Sequence, residues 1–272
     1  MKAEEMFQVK DYGVIVTGGA SGIGLSYVEV LAENGARVTM LDISQDRIDQ
    51  EVKRLTDAGM DVRGIQVDVT DRVSVEKAFK STFEEYGRLD VIFANAGIDS
   101  GPGFMTFDQK RNESGAIENY EDERWDKVID TNLNSVFTTI RAATRYMRPQ
   151  KSGRIIVTTS LAAVRNEVMI GVAYMAAKAG AAQFMRNVAL ELAEYNITVN
   201  AIAPGPFITN IGGGHAHDPQ VQKSFAATIP LGRMASTEEM KGLALFLASP
   251  ASGFITGTQI LIDGGSSLGT VS

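Results

Sequence analysis

The sequence predicts an α/β protein built as one doubly wound domain, a seven-stranded parallel sheet with helices on both faces. Three observations carry that expectation. Seven short apolar runs rich in β-branched residues recur along the chain. Segments of helical period separate them, which implies right-handed crossovers and therefore parallel strands. The runs are hydrophobic almost throughout, without polar alternation, as expected of strands covered on both faces.

In chain order the strand candidates are YGVIVTG at 12–18, ARVTMLD at 36–42, VRGIQVD at 62–68 and LDVIFANAG at 89–97, followed by GRIIVTTS at 153–160, ITVNAIAPG at 197–205 and TQILID at 258–263. The helical segments between them run from Gly22 to Asn34, Gln45 to Ala58, Val73 to Tyr86, Glu121 to Met147, Val172 to Tyr195 and Thr237 to Leu247. No linker, repeat or low-complexity tract divides the chain, so residues 1–272 are expected to form a single domain. Two connections exceed the usual α/β length, about 98–120 and about 207–224. Both follow a strand C-terminus, where ligands of this architecture bind.

Composition removes several classes of function. Hydrophobic residues make up 44% and charged residues 22%, as in an ordinary folded protein. A net charge of −7 and the lack of a Lys/Arg cluster argue against nucleic-acid and anionic-membrane partners. With no cysteine there is no disulfide, thiolate nucleophile or cysteine metal site. The polar N-terminus and the lack of a long apolar run lead to a cytoplasmic expectation.

The first strand runs into a helix through VIVTGGASGIGL, with Gly18, Gly22 and Gly24 spaced as GxxxGxG. Glycines there let the backbone turn tightly and approach a pyrophosphate, whose charge the helix N-terminus stabilises. They also serve plain turn geometry. Asp42 ends the second strand 18 residues beyond Gly24, near where a dinucleotide fold places an acid on the adenosine ribose. Its other reading is a turn former or helix cap. A carboxylate accepts from ribose hydroxyls and repels a 2′-phosphate, so Asp42 favours NAD over NADP. Neither Ser21 nor Ile43 adds a compensating charge, and Arg47, on the following helix, reads as solvated surface.

In YMAAKAG, Tyr174 and Lys178 stand four apart on a helix, with Cβ atoms roughly 5–6 Å apart on one face. A unit charge about 4 Å away at an effective dielectric near 20 contributes on the order of 4 kcal/mol, about three pKa units. Lys178 is therefore expected to bring the Tyr174 phenol towards neutral pH as a general acid/base. The same spacing also suits any amphipathic helix.

Together these motifs resemble the short-chain dehydrogenase/reductase family over Val14 to Gly265. TGGASGIG resembles its cofactor turn, including Ser21 and Ile23, and Asp68–Val69 its adenine-contacting pair. Asn95, Ala96 and Gly97 resemble its central-strand motif, and APGPFIT, with Pro204, Gly205, Phe207 and Thr209, its nicotinamide-side loop. The resemblance implies a Rossmann-type fold and further roles. Ser160 would bond the reacting oxygen, Lys178 would also hold the nicotinamide ribose, and Asn132 would position a relay water. It also implies a homo-oligomer, tetramer favoured over dimer, through helices beginning near Glu121 and Val172. Small residues in MAAKAGAAQ suit such packing or packing within the chain. Two features depart from the family: the Ser160–Tyr174 interval is one residue longer than its commonest spacing, and the loop after Gly97 carries extra residues.

The expected activity is hydride transfer between NAD and a secondary alcohol or ketone, a small-molecule substrate. An NADPH-dependent reductase of 3-oxoacyl or other ketones is the alternative within enzymes. A noncatalytic NAD-binding sensor or scaffold is the alternative outside them, though it would not need Ser160, Tyr174 and Lys178 together. No metal is expected: His215 and His217 beside Asp218 are too few ligands, and read as part of a substrate-covering loop. Trp125 reads as a packing residue, and Arg165, Asn166 and Glu167 lend one pocket loop polarity.

Overall fold

The computed structural model describes residues 2–106 and 109–269; the other positions of the expected 98–120 loop and 1–272 domain lie outside the described residues. After a single helical turn, α1 (Ala3–Met6), the chain alternates strands and helices: β1 (Gly13–Thr17), α2 (Gly22–Glu33), β2 (Arg37–Asp42), α3 (Gln45–Asp57), β3 (Val62–Gln66), α4 (Arg72–Tyr86) and β4 (Val91–Ala94). Helices α5 (Asp122–Ile129) and α6 (Ser135–Gln150) lead to β5 (Gly153–Thr158), α7 (Val172–Leu192) and β6 (Ile197–Pro204). The chain closes with α8 (Pro219–Ala226), α9 (Lys241–Ala248) and β7 (Gln259–Ile262).

All seven strands are parallel, in the order β3-β2-β1-β4-β5-β6-β7. Successive residues of a strand point to opposite faces, and here both faces are covered. Val14 and Val16 pack with Tyr27, Leu31 and Met240 on the side of α2, α3 and α9. Ile15, between them, packs with Phe79, Ile140 and Met185 on the side of α4, α6 and α7. That is why the inner runs are apolar at most positions, with Thr39 in β2 and Asn200 in β6 among the buried polar exceptions.

Three helical expectations change. The single helix expected from Glu121 to Met147 is α5 and α6 joined by a π turn at Asp130–Asn134, and it continues to Gln150. The helix expected from Thr237 begins as a 3₁₀ turn, Thr237–Met240, before α9. Within the expected 207–224 loop the chain forms a 3₁₀ segment at Ile211–His217 and the start of α8, which Asp218 caps by accepting from the Gln220 N–H. Of the small residues of α7, Ala173, Ala177 and Ala181 are fully buried inside the chain and Gly180 abuts Leu133, whereas Ala176 and Ala179 are exposed.

Candidate active site

Strand order reverses between β1 and β4, which opens a crevice beyond their C-termini. A cleft of about 980 Å³ occupies it, and all the residues expected to bind cofactor or catalyse line it. After β1, Gly18 takes φ +63°, the left-handed region that favours glycine. At Gly24 a Cβ would run into the Gly18 carbonyl oxygen and come 2.6 Å from Asn95 Nδ2, so only glycine lets α2 close on the turn. Ser21 precedes α2 without a side-chain capping bond, leaving the first-turn N–H groups and the helix dipole for an anion. The cradle fits a dinucleotide pyrophosphate.

Asn95 lines the cleft but works on the turn itself, donating to the Thr17 and Gly18 carbonyls at 3.0 and 3.3 Å. Thr17, which sequence reasoning passed over, closes the same joint: its hydroxyl accepts from the Asn95 and Ala96 N–H groups at 3.0 and 3.1 Å. A threonine closing an apolar strand was the available signal. At the adenosine end, Asp42 is buried and its oxygens accept from the Ala20 and Ser44 N–H groups, each at 3.1 Å. Exposed Ile43 and Arg47 stand beside it on the cleft rim, so Arg47 is both solvated and close to the site. Asp68 turns one oxygen to the Thr70 N–H and hydroxyl at 2.9 and 2.7 Å, with buried Val69 next to it.

At the other end β5, α7 and the π turn converge. Ser160 follows β5, accepts from the Ala162 N–H at 3.1 Å and hydrogen-bonds Tyr174. Lys178, buried, donates to the Thr158 carbonyl at 2.9 Å and sits 5.5 Å from the Tyr174 ring centroid. Asn132 is fully buried in the π turn. Its amide donates to the carbonyls of Ile98 and Val128, both at 3.0 Å, and its Oδ1 accepts from the Ile98 N–H at 3.2 Å. These bonds tie the end of β4 to the widened turn.

The electrostatics correct one expectation. Burial pushes the Tyr174 phenol above its ordinary value; the Ser160 hydrogen bond opposes this and nearby Asp99 adds to it. Burial also lowers Lys178 from 10.5 to about 8. A charge about 4 Å away would lower the phenol, but desolvation here dominates both groups. The native protein binds fewer protons at Lys178 than the unfolded chain between about pH 8 and 10.5, so this group makes stability rise with pH across that window. Lys178→Met is therefore expected to raise the Tm at pH 7 and remove that rise. Thermal melts of both proteins from pH 7 to 9 check it, and an unchanged Tm difference across that range contradicts it.

The chain matches the family model described as Enoyl-(Acyl carrier protein) reductase over residues 18–267. The chain belongs to the short-chain dehydrogenase/reductase family. Its chemistry is nicotinamide-linked oxidoreduction between alcohol and carbonyl. A 3-oxoacyl-(acyl-carrier-protein) reductase from Chlamydia pneumoniae is 33% identical over 93% of this chain and 95% of its own. An NAD-dependent glycerol dehydrogenase from Listeria innocua is 34% identical over 95% of each. Among solved structures, a short-chain type dehydrogenase/reductase from Mycobacterium marinum superposes with TM-score 0.89 at 30% identity, covering 98% of this chain and 99% of that one.

The two departures from the family pattern meet in space. The longer loop after Gly97 runs antiparallel to the segment before Tyr174, with Pro102 opposite Ile170. Gly103 N–H donates to the Met169 carbonyl at 2.9 Å, Met105 N–H to that of Val168 at 3.1 Å, and Gly171 N–H to that of Gly101 at 3.2 Å. Tyr120 closes the loop by donating to the Ser100 carbonyl at 2.9 Å. The extra residues thus hold one wall of a second cavity, about 750 Å³, which shares Ser160, Tyr174 and Phe207 with the first. Residues of the Ile211–His217 segment and α8 form the opposite wall, including His215. His217 instead pairs with Asn210 Oδ1 at 3.0 Å.

Proposed function

We propose that this protein is an NAD-dependent oxidoreductase that interconverts a secondary alcohol and its ketone, with Tyr174 as general acid/base. The observation that supports it most is the placing of Ser160 and Tyr174 where the two cavities meet, with Lys178 lining the first of them 5.5 Å from the Tyr174 ring centroid. When bound, the dinucleotide supplies the hydride acceptor or donor. The chain does the rest. Ser160 donates to the reacting oxygen and Tyr174 removes its proton in oxidation or returns it in reduction. Lys178 keeps donors free for ribose hydroxyls while Thr158 takes one. Asn132 has both amide protons spent, leaving a lone pair on Oδ1 to hold a relay water.

In this reading Gly18, Ser21, Gly22, Ile23 and Gly24 cradle the pyrophosphate. Asp42 and Ile43 meet the adenosine ribose, Asp68 and Val69 the adenine, and Ala96, Gly97, Pro204, Gly205, Phe207 and Thr209 the nicotinamide half. We also infer one dehydrogenase domain over 1–272, a cytoplasmic location and a homo-oligomer, tetramer favoured.

NAD is favoured because a 2′-phosphate would face the Asp42 carboxylate. Like charges at 4 Å repel by about 1–4 kcal/mol, depending on local dielectric, so NAD should lead NADP by at least about fivefold in kcat/KM. Asp42→Ala should erase most of that margin. Cofactor kinetics of both proteins test this, and a wild type that prefers NADPH overturns it. A second reading, an NADPH-dependent reductase of 3-oxoacyl substrates, draws support from the Chlamydia relative's name and from Arg47 at the ribose end. It predicts the opposite preference, together with turnover of acyl thioesters.

A further inference from the structure

We propose that the Arg165–Glu167 pair reads a second, uncharged hydroxyl on the substrate, and so selects hydroxylated ketones over unsubstituted or carboxylated ones. The inference rests on the alcohol/ketone reading of the site. Arg165 and Glu167 both line the 750 Å³ cavity that contains Tyr174, among apolar Leu161, Val168, Phe207 and Met234. Arg165 Nε stands 3.4 Å from Glu167 Oε1, with the Glu167 side chain 20% exposed. Arg165 Nη1 donates to the Ser266 carbonyl. Among the described residues, the Glu167 carboxylate has no other hydrogen-bond or ion-pair partner, while the residue's backbone carbonyl accepts from the Ile170 N–H at 3.4 Å. The pair therefore keeps an acceptor on Glu167 and a donor on Arg165 for a ligand.

The wall that carries the pair is held, since Val168 and Met169, directly after Glu167, are bonded to the long loop. A hydroxyl donates and accepts at once, which matches this donor–acceptor pair. Charge narrows the choice. Counted with His215 neutral, Asp99 and Glu167 against Arg165 leave the cavity one negative charge in excess, which disfavours a carboxylate. An ammonium would have to sit beside the Arg165 guanidinium. Burial pushes the Glu167 carboxyl up while Arg165 holds it down, so the group gains from a donor that replaces lost water.

The test compares cyclohexanone, cyclohexanones hydroxylated at each ring position, and an oxocyclohexane carboxylate, with wild type, Glu167→Gln and Glu167→Leu. The best hydroxyketone should exceed cyclohexanone in kcat/KM by about tenfold to a hundredfold, since a site built around a substrate hydroxyl rejects the analogue lacking it. The carboxylate should be the poorest. The hydroxyl preference should shrink in Glu167→Gln and fall to about one in Glu167→Leu. A wild type without preference, a preference retained in Glu167→Leu, or a preferred carboxylate overturns the proposal. If no ketone turns over with either cofactor, the reaction reading fails instead. Calorimetric binding of the same compounds to the three proteins then decides the hydroxyl preference by the same ratios.

Discussion

Tyr174→Phe is expected to fold and bind NAD as the wild type does, while its turnover falls by about a hundredfold or more. The phenyl ring keeps its packing and its place 5.5 Å from Lys178 Nζ, and only the hydroxyl and its bond to Ser160 are lost. Among the described residues, the one other carboxylate or phenol shared by the two cavities is Asp99, whose Oδ1 accepts from the Gly101 N–H at 2.6 Å. The measurement is kcat from NADH absorbance at saturating cofactor, with calorimetric NAD binding as the control. Turnover within tenfold of wild type removes Tyr174 from the mechanism. The wild type also has a pH signature: oxidation needs the phenolate, and burial sets the phenol above its ordinary value. Oxidation should therefore climb as pH rises from neutral into the alkaline range, and Tyr174→Phe should lack that climb.

Gly24→Ala should cost cofactor affinity by about a hundredfold, with a lowered Tm. The new methyl meets the Gly18 carbonyl oxygen and Asn95 Nδ2, so either the turn or α2 must shift. A shift there pulls the first-turn N–H groups away from the pyrophosphate, and a misplacement of about 1 Å is enough for such a loss. Gly242, at the start of α9, has nothing within 4 Å of the corresponding position. Gly242→Ala should therefore leave affinity unchanged and gain about 0.5–1 kcal/mol of stability through a less flexible unfolded chain. Calorimetric NAD titrations and thermal melts of both variants separate close packing from a general glycine effect. Normal NAD affinity in Gly24→Ala contradicts the assignment of the turn.

Much of the fold could be read from the chain because burial on both faces leaves its mark on every residue of an inner strand, as in Val14–Val16 and Ile155–Val157. Helix boundaries were less legible. The π turn at Asp130–Asn134 coincides with the bonds Asn132 makes to Ile98 and to Val128, and Ile98 is a contact across 34 positions that no local period encodes. Helix α8 escaped notice through its shortness, although Asp218 followed by Pro219 is a start signal.

By itself the sequence determined the order of the motifs, the spacing of Tyr174 and Lys178, and the carboxylate at Asp42, because these depend on covalent position and local periodicity. Tertiary structure alone decided the direction of the Tyr174 and Lys178 shifts, the joining of the long loop to the segment before α7, and the meeting of Arg165 and Glu167 in one cavity. Those outcomes depend on which groups lose their water, and loss of water is a property of the packed chain.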